Sequence, residues 1–97
     1  MLIPVLKKNE SLMDMIDKLR EEVNELDQAI NLYEAYGTLR ELENVIEESF
    51  DVQQVLTGIF DKLATDEKVD LRKASHDHLV KMINRGWNVK KILIVEE

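Results

Sequence analysis

The feature that most constrains the fold is an apolar repeat of seven residues in the first third of the chain. Between Leu12 and Tyr33, large apolar residues recur at alternating steps of four and three. This spacing places them in one stripe along an α-helix that packs at a shallow angle against other helices. The repeat therefore predicts a long first helix within an all-α, antiparallel helical bundle. The stripe consists of Leu12, Ile16, Leu19, Val23, Leu26, Ile30 and Tyr33.

Capping residues predict where the first helix begins and ends. Ser11 is a suitable N-cap, and Asp14 follows it three positions later. Gly37 suits the left-handed backbone position that ends many helices, so the first helix should run to about Tyr36.

Two further helices are expected downstream. Thr38 and Glu41 have the spacing of a capping box and predict the start of a second, strongly apolar helix. Its interior contains Gly58, which costs about 1 kcal/mol relative to alanine. A third helix is expected to begin after Asp66 and to end just before Gly86. The two ends of the chain, MLIPVL and NVKKILIVEE, have a β-like composition and are expected to pair with each other or with a second chain.

Composition limits the chain to a few classes of protein. Its 97 residues correspond to one domain, 1–97, and the absence of cysteine excludes a disulfide scaffold, a thiolate zinc site and a cysteine nucleophile. The net charge of −7 argues against nonspecific nucleic-acid binding, which requires clustered lysine and arginine. No apolar run is long enough to span a membrane, and no signal peptide is recognisable. We expect a cytoplasmic protein with no nucleic-acid or membrane partner.

The predicted helices are too long and too apolar for a self-contained domain of this size. A helix of 25 residues is about 38 Å long, whereas a compact 97-residue domain is about 32 Å across. The apolar positions of the second helix also spread around more than half of its circumference, which indicates burial among several neighbours. We therefore expect a homodimer or homotetramer.

Two pairs of acids fall at matching heights when the first two helices fold back at Gly37. Glu25 lies 12 residues before this glycine and Glu48 lies 11 after it, while Glu22 lies 15 before and Asp51 lies 14 after. The members of each pair therefore differ in height by about one helical rise of 1.5 Å.

Four carboxylates that converge repel one another unless they bind protons or a cation. Hard oxygen ligands suit Mg²⁺ or Mn²⁺, and bundle interiors lined by glutamates from facing helices can hold such metals. The alternative is a solvated acidic face, since glutamate favours helices and this chain is acidic.

The segment EEVNE, followed 22 residues later by ESFD, resembles the EExxE…ExxD signature of the MazG-like nucleoside triphosphate pyrophosphohydrolases. The resemblance covers about residues 11–87. It implies an oligomeric helical bundle that hydrolyses a nucleotide between its α- and β-phosphates. It also implies that Glu22, Glu25, Glu48 and Asp51 hold Mg²⁺, with Mn²⁺ as a possible substitute. Glu21 would assist a second cation or orient the attacking water.

The resemblance also indicates where the phosphates would be bound. Lys81 and Arg85 are four residues apart near the end of the third helix, and a basic pair in this part of the chain is similar to the family's phosphate contacts. Asn84 is a further candidate. Basic residues at a helix C-terminus also favour its dipole, which is a structural explanation for the same residues.

A second function remains open at this point. The heptad-like first helix and the apolar ends are also typical of a noncatalytic oligomerisation or partner-binding module. Such a protein would keep the fold without turnover.

Overall fold

The computed structural model describes residues 3–91, and these residues form three α-helices joined by short connections. Helix α1 spans Leu12–Tyr36, α2 spans Leu39–Asp66 and α3 spans Leu71–Asn84. Residues 3–91 contain no strand, so the predicted all-α class is confirmed for this part of the chain. Among these helices, none is both long and apolar enough to cross a membrane.

Helix α1 has the ends that its sequence predicts. The Ser11 hydroxyl accepts a hydrogen bond from the Asp14 amide at 3.1 Å, and the Asp14 carboxylate accepts one from the Ser11 amide at 3.1 Å. At the other end, Gly37 has a φ of 64° and donates its amide to the Tyr33 carbonyl at 2.8 Å. Glycine adopts this left-handed conformation without a steric penalty, so the chain can turn back into α2.

Helices α2 and α3 begin within the predicted limits, but the cap of α2 differs from the sequence prediction. Thr38 is the N-cap of α2, but its side chain makes no capping bond; its hydroxyl donates to the Glu41 carboxylate instead. The capping box predicted here is therefore wrong. Helix α3 begins after Asp70, whose carboxylate accepts the Lys73 amide at 3.0 Å. Gly86, at a φ of 90°, follows the end of α3 as predicted.

Helices α1 and α2 pack along each other as an antiparallel hairpin, whereas α3 makes few contacts with either. The core of this hairpin is small. Ala29, at 7% exposed, is the one buried apolar residue in the described part of the chain. The radius of gyration is 16.0 Å, against about 12.5 Å for a compact domain of this length.

The N-terminal segment, residues 3–11, lies beside the hairpin without regular structure. The prediction of a strand is therefore wrong for residues 3–6. Pro4 has no amide hydrogen to donate to a sheet, and its carbonyl accepts a hydrogen bond from the Gln54 side chain at 2.6 Å. At the other end, residues 88–91 form no strand. Residues 92–97, which complete the second predicted β-like segment, lie outside the described residues.

Candidate metal centre

The hairpin brings together the four acids that its turn at Gly37 aligns. Each of the four offers one carboxylate oxygen, and these oxygens all lie within 4.8 Å of one another. The convergence follows from the geometry of the sequence, because residues at equal distances from a tight turn reach the same height on antiparallel helices. The cluster, called the acidic cluster below, consists of Glu22, Glu25, Glu48 and Asp51.

The acidic cluster extends from the inside of the hairpin to its surface, since Glu22 is buried, Glu25 and Glu48 are half-buried and Asp51 is exposed. The Glu22 residue is only 6% exposed. Its Oε1 atom lies 3.0 Å from the Lys18 ammonium, but its Oε2 atom is buried without a hydrogen-bond partner among the described residues. The Oε2 atom of Glu48 is buried and unpartnered in the same way. Buried carboxylate oxygens without partners are energetically unfavourable, so these two atoms are suited to coordinate a cation.

Electrostatic crowding changes the acidity of two members of the cluster. The charge of Glu22, followed by partial burial, raises the pKa of Glu25. Partial burial, followed by the charge of Asp51, raises the pKa of Glu48. In both residues the surroundings disfavour the ionised form, as expected where carboxylates share one site. A divalent cation among them would reverse this preference.

The donor set and its dimensions fit a small divalent cation. All four donors are carboxylate oxygens, which Mg²⁺ and Mn²⁺ prefer over softer ligands. Ligands on opposite sides of Mg²⁺ are about 4.2 Å apart, because each metal–oxygen bond is about 2.1 Å long. The 4.8 Å spread of the cluster therefore requires only a small inward movement of the side chains.

The structure does not bring the other predicted site residues into the acidic cluster. Glu21 is outside it: its side chain is 58% exposed and lies 3.6 Å from Lys18. Lys81 and Asn84 are exposed on α3, and Arg85 is exposed at the C-cap of the same helix. Since α3 makes few contacts with the hairpin, these three residues are not assembled with the carboxylates within one chain.

Lys18 is a cation beside the cluster that was not among the residues expected there. Its ammonium lies 3.0 Å from a Glu22 oxygen. The signal was present, because the two residues are four apart on one helix and such pairs face each other. Two further neighbours, Gln54 and Gly58, belong to a groove next to the cluster. Both residues are on α2, but the groove itself depends on the N-terminal segment, whose position no periodic pattern in the sequence predicts.

No protein-family model, curated protein or solved structure matches this chain.

Proposed function

We propose that this protein is a Mg²⁺-dependent nucleotide pyrophosphohydrolase. It would cleave an NTP or dNTP between the α- and β-phosphates to give the monophosphate and pyrophosphate. The observation that supports this most directly is the acidic cluster, with its two buried, unpartnered carboxylate oxygens. The same four residues occupy four of the five acidic positions of the EExxE…ExxD pattern that resembles the MazG-like enzymes, and Glu21 occupies the fifth.

In this proposal the acidic cluster holds the cation, and the cation faces the phosphates. A bound Mg²⁺ would neutralise the triphosphate and lower the pKa of a water molecule. The hairpin fixes the carboxylates, because each is on a helix rather than on a loop. Glu21, one residue before Glu22 and exposed to solvent, would orient the attacking water or assist a second cation.

Contacts to the phosphates require positive charge, which the cluster itself lacks. Lys81 and Arg85, with Asn84, are the proposed contacts, and Lys81 is in the last turn of α3. All three are exposed and therefore accessible to a ligand.

We also propose that the protein functions as a homodimer or homotetramer. The accessible surface is 8387 Å², whereas a compact monomer of this mass exposes about 5,700 Å². Large apolar side chains remain exposed along α2, including Phe50 at 52% and Phe60 at 53%. A second copy of the hairpin would cover such a face by helix-on-helix packing.

The proposed activity is tested by measuring pyrophosphate release from a panel of NTPs, dNTPs and modified nucleotides. The assay contains Mg²⁺ or Mn²⁺ and compares the wild type with Glu48→Gln. Glu47→Gln is the matched control, because it removes the same charge from an exposed neighbour outside the cluster. We expect release that EDTA and Glu48→Gln abolish and that Glu47→Gln retains.

The assay also tests the alternative function. Exposed apolar residues along the hairpin are what a noncatalytic oligomerisation or partner-binding module would present. Absence of release from every nucleotide, together with a melting temperature that Mg²⁺ does not change, would favour that module over the enzyme.

A further inference from the structure

A groove of about 390 Å³ lies between the N-terminal segment and α2, next to the acidic cluster. Glu22 and Asp51 belong to both the cluster and the groove. From Asp51 the groove follows α2 as far as Asp66, a distance of about 22 Å at 1.5 Å per residue. A volume of this size is within the range of about 300–1,000 Å³ typical of small-molecule sites.

Gly58 lines this groove, and nothing else in residues 3–91 explains why this position is a glycine. It is in the interior of α2, where glycine is unfavourable relative to alanine. Its backbone does not have the positive φ that would require glycine. A Cβ atom at this position would meet nothing within 4 Å, so close packing does not require glycine either. The residue does leave one stretch of the groove free of side chains.

Apolar side chains line part of the groove, and the N-terminal segment covers one side of it. Val5 and Leu6 of the N-terminal segment, together with Met15 and Val55, are among its lining residues. The 2.6 Å hydrogen bond from Gln54 to the Pro4 carbonyl holds the N-terminal segment against α2. The other lining residues are polar or charged, among them Lys62, Asp61 and Asp66. The groove therefore offers an apolar surface for a planar ring next to groups that can hydrogen-bond the sugar and base.

We propose that this groove binds the nucleoside part of the substrate, with its base against the open face of α2 at Gly58. The inference rests on the proposed function, because it places the phosphates at the acidic cluster. From there, the sugar and base extend along α2 beneath the N-terminal segment. Residues of this segment and Gly58 then determine which nucleotides fit.

The test compares the Gly58→Leu variant with the wild type. It measures how tightly each binds the two kinds of product, nucleoside monophosphate and pyrophosphate, in the presence of Mg²⁺. Leucine favours the helix more than glycine does, so the variant should fold, and its side chain would enter the groove. Ser49→Leu is the matched control, since it adds the same side chain at an exposed position of α2 outside the groove. The probes are the four ribonucleoside 5′-monophosphates and inorganic pyrophosphate, measured by calorimetry.

For Gly58→Leu we expect the monophosphate that binds the wild type most tightly to lose roughly tenfold or more in affinity. Pyrophosphate affinity should stay within roughly twofold in both variants, because the cluster is untouched. If Gly58→Leu binds the monophosphate as the wild type does, or loses affinity for both probes equally, the groove is not the nucleoside site. Wild-type pyrophosphate release would leave the proposed function standing in that case. A wild type that neither releases pyrophosphate nor binds any probe would refute both proposals.

Discussion

At the scale of single residues, the two carboxyl groups with raised pKa values make the stability of the metal-free protein depend on pH. Glu25 and Glu48 bind protons more tightly in the folded state. Their contribution is complete below their ordinary pKa of about 4.3 and is lost as the pH rises through the raised values. Asp14 acts in the opposite direction: its pKa is lowered by the Ser11 cap, so its contribution is lost only below about pH 3.9.

We therefore predict that, without metal, the free energy of unfolding increases as the pH falls from neutral through the raised pKa values toward about 4.3. Glu48→Gln should weaken this dependence and raise stability at the upper end, since it removes one repelling charge. Urea denaturation at several pH values in the presence of EDTA measures both effects. A wild type that loses stability steadily over this interval would contradict the assignment of repulsion to the cluster.

Lys18 should act as an internal competitor for the cation. Its ammonium lies 3.0 Å from a Glu22 oxygen and partly offsets the charge of the cluster. Lys18→Met should tighten Mn²⁺ binding by roughly 1.4-fold to fivefold, because a charge pair with one partner in solvent contributes about 0.2–1 kcal/mol. Lys62→Met is the control, since Lys62 pairs with Asp66 at 2.8 Å outside the cluster. Equal effects of the two substitutions on the dissociation constant would show that only net charge matters.

At the scale of the helices, the two N-caps of the hairpin should contribute unequally to stability. Ser11 completes a reciprocal capping box, and Ser11→Ala should lower the free energy of unfolding by about 1 kcal/mol. Thr38 makes no capping bond, so Thr38→Ala should have a clearly smaller effect. Urea denaturation of both variants measures the difference, and a larger loss for Thr38→Ala would contradict the described start of α2.

The helices were predictable because their signals are local. A seven-residue repeat, a Ser11 cap and a glycine at position 37 each act within a few residues, and α1 has the predicted bounds. The N-terminal segment was not predictable in this way. Its β-like composition requires a partner strand, and instead its Pro4 carbonyl contacts a side chain 50 positions away.

The acidic cluster was predictable for a similar reason. Matched distances from one tight turn determine which residues of two antiparallel helices meet, and all four acids meet as expected. The position of Lys81 and Arg85 relative to the cluster depends on how α3 packs. Helix α3 makes few contacts within the chain, so no local pattern defines that packing.

At the scale of the whole molecule, the small core predicts self-association. The extended shape, with a radius of gyration of 16.0 Å, leaves much apolar surface uncovered. Light scattering should give two or four times the chain mass of 11.3 kDa. Phe60→Asp, which charges an exposed apolar residue, should shift the protein toward smaller species, whereas Ser49→Asp should not. A wild type with the mass of a single chain at all concentrations would contradict the proposed assembly.

The proposed function depends above all on four carboxylates of one hairpin holding a divalent cation. Titration of Mn²⁺ into the wild type, Glu48→Gln and Glu47→Gln, followed by calorimetry, tests it without any assumption about the nucleotide. We expect saturable binding to the wild type and to Glu47→Gln, and affinity weaker by roughly tenfold or more for Glu48→Gln. Identical titrations for Glu48→Gln and Glu47→Gln, or no saturable binding to the wild type, would contradict it.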